Sequence, residues 1–269
     1  MRDRKILFVT GAGSGIGREV ARHFAAKGWF AGLTDVDETG LAETAAIIGA
    51  ENCWTHRLDV ADRAAWGQAI AAFSERTDGR MHLLFNNAGI GKGGAFPDMD
   101  PADIDRLVAI NFTGVMNGTQ AAFDLLRASP GACILNTSSA SGIYGSAGLS
   151  VYSATKFAVR GLTEAWDIEF APLGIRVRSL MPGFIDTNIL SAVGEGTSQT
   201  GRERLQSAGI EVSPVAIVGQ AAWDAVHGDA VHTPVNKMAR QLMFAARWFP
   251  GRLRRRMGLV QGLDSAVDG

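Results

Sequence analysis

Cysteine is scarce: Cys53 and Cys133 stand 80 positions apart in 269 residues, without partners at metal-ligand spacing. That argues against a disulfide framework, and buried thiols in a reducing compartment are the preferred reading. An excess of one charge is also missing, since 26 basic and 27 acidic residues leave a formal net charge of -1. No general attraction to nucleic acid follows from such a balance. No apolar stretch reaches the length of a membrane span, and the first apolar run, Ile6 to Val9, is too short for a signal peptide. The expected location is cytoplasmic. The histidines at 23, 56, 82, 227 and 232 form no ligand-spaced motif, and no metal is expected. Repeats at a solenoid period are absent too.

What is present is an alternation of short apolar runs and helical spacing, in a chain long enough to bury a sizeable core. Lys5–Thr10 reads as a buried strand, followed by glycines at 11, 13, 15 and 17 and then by helical spacing from Arg18 to Lys27. Strand, glycine turn and helix is the order a phosphate site needs, because glycines admit a pyrophosphate and a helix start favours its charge. The spacing is G-x3-G-x-G at Gly11, Gly15 and Gly17, not G-x-G-x-x-G. Asp35 ends a second strand, Trp29–Thr34, 18 residues after Gly17. An acid there can accept from the adenosine ribose hydroxyls and repel a 2′-phosphate. Ser14 occupies the loop position where a compensating base would stand, and Val36 follows the acid, so NAD is favoured over NADP. The competing role for Asp35 is N-cap of a helix over about 37–48, one that Asp37 could equally fill. Further strands are expected over 53–58, 81–85, 132–137, 174–180 and 232–235. Thr10, Asp35, Asp59 and Asn86 fall at strand C-termini, where an open parallel sheet holds its ligand. One shared site explains them better than four separate turns.

Tyr152 and Lys156, four residues apart on a predicted helix, fall on one face. A cation beside a phenol favours phenolate, which makes the pair a proton-transfer arrangement. Pro101–Leu126 reads as a long helix bent around Asn111-Phe-Thr-Gly114, residues that call for a reason inside a helix.

Taken together, Thr10-Gly-Ala-Gly-Ser-Gly-Ile-Gly17, Asn86-Asn-Ala-Gly89 and Tyr152-Ser-Ala-Thr-Lys156 resemble the short-chain dehydrogenase/reductase family over about residues 4–190. The resemblance implies an α/β fold, a Rossmann-type doubly wound parallel sheet of about seven strands with helices on both faces. It implies a catalytic set of Asn111, Ser139, Tyr152 and Lys156. Ser139 is fixed by the 13-residue interval to the tyrosine, with Ser138 and Ser141 as spare donors or turn formers. Asn111 would hold a water that relays protons to Lys156, and Lys156 would also bind the nicotinamide ribose. Dinucleotide contacts are expected from Gly11, Ser14, Gly15, Ile16, Gly17, Asp35, Asp59, Val60, Asn87, Ala88, Gly89, Tyr152 and Lys156. In Met181-Pro-Gly-Phe-Ile-Asp-Thr187, Pro182, Gly183, Ile185 and Thr187 would meet the carboxamide end.

The chain is expected to be a single oxidoreductase domain over 1–269, with a substrate lid over about 188–214 and a basic amphipathic tail over about 236–257. Ser139, Ile143, Tyr144, Ile189 and Leu190 are the expected substrate contacts, and their character suggests an uncharged, apolar alcohol or ketone. The leading reading is an NAD-dependent oxidoreductase of a secondary alcohol and its ketone. A non-catalytic dinucleotide sensor or scaffold is the alternative from another class. An NADPH-dependent ketoacyl reductase is disfavoured by Asp35 and Ser14. The tail departs from the family's usual end, which leaves a homotetramer in doubt while permitting a homodimer through the helices around 101–126 and 151–170. For the tail itself, packing on its own subunit or a neighbour is preferred to contact with a membrane surface.

Overall fold

Ile6–Thr10 form strand β1, every residue of which is buried. A strand covered on both faces needs an unbroken apolar run, which Ile6, Leu7, Phe8 and Val9 supply. The structure is a computed structural model and describes residues 4–187, 190, 200–207 and 211–260. The strands that follow are β2 (Phe30–Asp35), β3 (Cys53–Arg57), β4 (Leu83–Asn86), β5 (Cys133–Thr137), β6 (Arg176–Met181) and β7 (His232–Pro234). They form a seven-stranded sheet in the order β3-β2-β1-β4-β5-β6-β7, parallel at every pair. Strand order reverses between β1 and β4, which opens a crevice beyond their C-terminal ends.

The helices are α1 (Gly15–Ala26), α2 (Glu38–Ile48), α3 (Arg63–Thr77), α4 (Pro101–Val108), α5 (Gly114–Arg127), α6 (Ser150–Phe170), α7 (Gly201–Ser207), α8 (Ala216–His227), α9 (Lys237–Trp248) and α10 (Pro250–Val260). On one face of the sheet, Val20, Phe24, Leu41, Val218 and Ala222 from α1, α2 and α8 cover Leu7, Val9 and Leu33. On the other, Trp66, Phe73, Ala122 and Leu126 from α3 and α5 cover Phe8, Leu84 and Ile134, with Trp166 and Phe170 of α6 packed alongside. Phe8 and Phe73 meet edge to face at 4.9 Å. Enclosing one such side chain is worth about 1.5–3 kcal/mol. Gly32 permits the contact, since a Cβ there would lie 2.4 Å from Phe73.

α1 starts at Gly15, three residues before the expected Arg18, so the glycine loop itself supplies the first helical turn. Asp37 caps α2 by accepting from the Gly40 amide at 3.0 Å, which releases Asp35 from that role. The long helix expected over 101–126 is bent as anticipated: α4 ends at Val108, Ala109–Thr113 is a π-helical turn, and α5 resumes at Gly114. Such turns break the regular i−4 ladder and recur at functional sites.

Most of the expected lid over 188–214 lies outside the described residues. Within it, Thr200 and Glu203 form a capping box at the start of α7: the Thr200 amide donates to Glu203 Oε2 at 2.7 Å and the Glu203 amide to Thr200 Oγ1 at 3.2 Å. At the C-terminal end, Asn236 caps α9 by accepting from the Ala239 amide at 3.0 Å and donates to Ser213 Oγ at 3.1 Å. α9 rests on β7 and the Ala140–Gly142 turn, and α10 folds back against α9 with Leu253 buried. The inner side of the tail therefore packs on its own chain. No helix among the described residues is long and apolar enough to cross a membrane.

Candidate active site

The crevice between the ends of β1 and β4 is bounded by the glycine loop. Gly11 and Gly15 adopt positive φ angles of 68° and 51°, a region that side chains disfavour. A Cβ at Gly17 would lie 2.0 Å from the Gly11 carbonyl, so only glycine lets α1 begin this close to the loop. Ser14, the residue before α1, makes no capping bond with its side chain. Gly15, Ile16 and Gly17 form the first turn, whose amides lack helical acceptors. Gly13 donates its amide to Asp35 Oδ2 at 2.9 Å, and the Asp37 amide donates to Asp35 Oδ1 at 3.1 Å. Each carboxylate oxygen keeps further lone pairs for hydroxyl donors. A bare amide-rich turn next to an acid at the end of β2 fits a dinucleotide: pyrophosphate on the loop, adenosine ribose on Asp35.

Three strand ends are stitched together behind this loop. Thr10 Oγ1 accepts from the Asn87 and Ala88 amides at 2.9 and 3.0 Å. The Asn87 side chain donates to the carbonyls of Thr10 and Gly11 at 3.0 and 3.3 Å and accepts from Thr137 Oγ1 at 3.2 Å. The Thr137 carbonyl in turn accepts from Lys156 Nζ at 2.9 Å. Thr137 was not singled out as a site residue, and its polarity at a buried strand end was the available signal. Asn86 is a correction to the shared-site reading. Its side chain turns inward and donates to Thr119 and Asn136 at 3.2 and 3.0 Å, bracing β4 against α5 and β5. Asp59 is exposed and accepts from the Ala61 amide at 2.9 Å, while Val60 is buried against Gly114.

Around Gly89 two of the proposed catalytic side chains meet. A Cβ added there would lie 3.2 Å from Asn111 Oδ1 and 3.5 Å from Lys156 Nζ. Asn111, 1% exposed in the π turn, accepts from the Ile90 amide and donates to its carbonyl, both at 2.9 Å. Its side chain thus pins the loop after β4. Ser138, expected as a spare donor, braces the helix by donating to the Lys156 carbonyl at 2.9 Å. Ser139 accepts from the Ser141 amide at 3.1 Å and hydrogen-bonds Tyr152.

The electrostatics differ from the expected phenol–ammonium pairing. Lys156 Nζ points to Thr137 and lies 5.7 Å from the centroid of the Tyr152 ring, under the ring rather than on its hydroxyl. Burial pushes the Tyr152 phenol above its ordinary value, with the Ser139 hydrogen bond opposing it. Burial likewise pulls the Lys156 ammonium down to about 8. Cys133 is pushed up to about 12 by burial, and among the described residues both cysteines are free thiols.

On the far side, the Pro182 carbonyl accepts from the Ala140 amide at 2.8 Å, which joins the Pro-Gly segment to the turn after Ser139. Gly183 has no room for a Cβ, which would lie 2.6 Å from both Asn236 Oδ1 and Met238 Cε. Thr187 reaches the glycine loop, its Cγ2 3.2 Å from a Cβ placed on Gly15. Ile185 turns its side chain into the core, and its backbone forms a bridge to Ser213. Ile143 is buried, Tyr144 and Leu190 are half-buried, and Ile189 lies outside the described residues.

Known proteins resemble this chain in sequence and fold. The pattern of the short chain dehydrogenase family matches residues 5–198. The "Probable oxidoreductase EphD" of Mycobacterium tuberculosis is 34% identical over 238 residues; the match takes in 86% of this chain and only 39% of that longer protein. A "3-alpha-(or 20-beta)-hydroxysteroid dehydrogenase" of Mycobacterium bovis is 35% identical over 79% of this chain and 81% of its own length. Among solved structures, a short chain dehydrogenase/reductase from Burkholderia phymatum in complex with NAD superposes with a TM-score of 0.82 at 27% identity, over 94% of this chain and 95% of that one. With the glycine loop, the Asn87–Gly89 turn and the Tyr152–Lys156 pair gathered at one sheet edge, the chain belongs to the short-chain dehydrogenase/reductase family of oxidoreductases.

Proposed function

We propose that the protein is an NAD(H)-dependent oxidoreductase interconverting a secondary alcohol and a ketone on an uncharged, apolar substrate, with Tyr152 as general acid and base. The observation that carries this reading is that Asn111 and Lys156 meet beside Gly89 while Tyr152 hydrogen-bonds Ser139 with the Lys156 ammonium next to its ring. A protein that only bound the dinucleotide would not need that set. The nicotinamide, when bound, gives or takes the hydride, and the chain's own groups handle the proton. In reduction the Tyr152 hydroxyl, kept protonated by its burial, donates its proton to the substrate oxygen. In oxidation Tyr152 removes the alcohol proton. Ser139 holds the same oxygen as charge develops on it. Lys156, charged below about 8, directs its ammonium to the Gly89 side, where the ribose hydroxyls would bind.

For the cofactor, Asp35 is the discriminating group. Arg18, beside the same loop, donates to the Gly13 carbonyl, to Thr44 Oγ1 at 3.0 Å and to Glu43 Oε2 at 2.7 Å. So committed, its guanidinium does not neutralise a 2′-phosphate. The NAD complex of the Burkholderia relative supports the same choice. The hydroxysteroid dehydrogenase name of another relative, with Ile143 on the turn after Ser139, supports an apolar alcohol. Val108, Phe157 and Ile168 leave apolar surface on α4 and α6, which supports a homodimer through those helices. Buried thiols support a cytoplasmic setting.

The test is Tyr152→Phe, assayed by reduced-cofactor formation with NAD across alcohols graded from short aliphatic to polycyclic. Turnover should fall by about 10²–10⁴-fold while NAD binding, followed by protein fluorescence, is retained. Unchanged turnover would remove Tyr152 from the mechanism.

A further inference from the structure

Charge in this chain is divided unevenly. From Asn236 to Val260 there are seven basic residues and no acidic one, so the remainder of a chain of net charge -1 carries -8. That segment is α9 and α10. α9 turns Ala239 fully inward and half-buries Leu242, Met243 and Ala246, whereas Phe244 and Trp248, one turn apart on the opposite face, are each 60% exposed. Phe249, at the junction with α10, is 45% exposed, and its ring lies 5.9 Å from that of Phe244. Leaving three large aromatic side chains on one ridge in water has no folding rationale, and contiguous exposed apolar surface marks an interaction site.

Two of the cations lie on this ridge. Arg247 lies 5.4 Å over the Trp248 ring and Arg252 5.6 Å over that of Phe249. Arg252, Arg255 and Arg256, three and four residues apart on α10, fall on one face of the helix and are all exposed. None of these four arginines has an ion-pair partner among the described residues. An acidic protein surface would neutralise the arginines but leave the rings against polar atoms. A layer with phosphates above and hydrocarbon below matches both sets of groups at once.

We propose that α9 and α10 dock this protein on the surface of an anionic lipid bilayer, with Phe244, Trp248 and Phe249 entering the headgroup boundary and Arg247, Arg252, Arg255 and Arg256 pairing with lipid phosphates. The contact is peripheral. α9 starts at the wall of the proposed active site, where Asn236 and Met238 abut Gly183 and the helix touches the Ala140–Gly142 turn. A docked molecule therefore holds its substrate side near the bilayer. This orientation rests on the function proposed above; the docking itself does not.

The test is co-sedimentation of the full chain with phosphatidylcholine vesicles, with and without phosphatidylserine. The protein should pellet only with the anionic vesicles, and salt should release it. An Arg252→Gln/Arg255→Gln/Arg256→Gln variant should lose about a hundredfold in partitioning, at about fivefold per arginine. A Phe244→Ala/Trp248→Ala variant, unchanged in charge, should lose at least about tenfold through the apolar area it no longer withdraws from water. Circular dichroism checks that both variants are folded. Failure of the folded wild type to pellet overturns the proposal, and so does an aromatic variant that binds like the wild type, which would reduce the effect to polycation adsorption. A dimer that dissociates in the aromatic variant, without vesicle binding by the wild type, would assign the ridge to a second copy of the chain instead. Turnover of a water-soluble alcohol is read in parallel, so failed docking and failed catalysis are distinguishable.

Discussion

Replacing Thr10 with valine keeps the size and branching of the side chain and removes its hydroxyl. Thr10 is 2% exposed, and its Oγ1 is the acceptor for the Asn87 and Ala88 amides at 2.9 and 3.0 Å. Leaving a buried donor unpaired costs about 1–3 kcal/mol. Because Asn87 and Ala88 are half-buried, water replaces part of each bond, and the combined loss should be about 2–4 kcal/mol. Thr10→Ser is the control, since it keeps the acceptor and deletes one methyl group for about 1 kcal/mol. Urea unfolding followed by tryptophan fluorescence gives both values, with a shifted midpoint at an unchanged slope. NAD affinity should fall for the valine variant as well, because the same turn carries the Asn87 side chain that holds the Gly11 carbonyl. A valine variant within about 0.5 kcal/mol of wild type, or a serine variant as damaged as the valine one, would refute the assigned role of the hydroxyl.

Two further outcomes are expected. Asp35→Ala should lower the preference for NAD over NADP, because Arg57, the register partner of Asp35 on β3, then stands beside the adenosine end without the acid. An NAD to NADP ratio of kcat/KM equal to that of wild type would discard the assignment. Acid should weaken the fold through His23, His82 and His232, each held below the ordinary histidine value chiefly by burial. The unfolded chain takes up these protons first, so stability is intact above about 6.5 and is lost as pH falls from there towards the lower folded values. For His82 the proton also removes the acceptor of the Ile6 amide, bonded at 3.2 Å. A urea midpoint at about pH 5.5 equal to or above that at about pH 7.5 would contradict the sign.

Much of this molecule was legible in the sequence because its chemistry restricts residue type. A Cβ at Gly11 or Gly17 meets backbone, so those positions advertise the loop. The seven strands were legible as short apolar runs, with ends within two residues of those observed. Side-chain direction was not legible. Asn86 and Asn87 are adjacent and identical, yet the strand pleat sends the first into the core and the second to the glycine loop. Asp35 and Asp37 were equal candidates for the helix cap until the backbone placed the Gly40 amide beside Asp37. The preference of Lys156 for the Thr137 carbonyl depends on β5 and α6 meeting in space, which sequence spacing does not encode. The lid residues Ile189 and Leu190 were inferred from apolar character alone, and only Leu190 falls among the described positions.

The run of hydrogen bonds from Thr10 through Asn87 and Thr137 to Lys156 has a metrological consequence. The loop that would locate the dinucleotide and the lysine beneath the proposed proton donor are both referenced to one datum, the aligned ends of β1, β4 and β5. A strain that shifts the sheet edge as a whole carries both along and leaves their separation unchanged. A strain inside the run alters that separation directly. Tolerance to distant substitutions and sensitivity to Thr10, Asn87 or Thr137 are then two aspects of the same alignment.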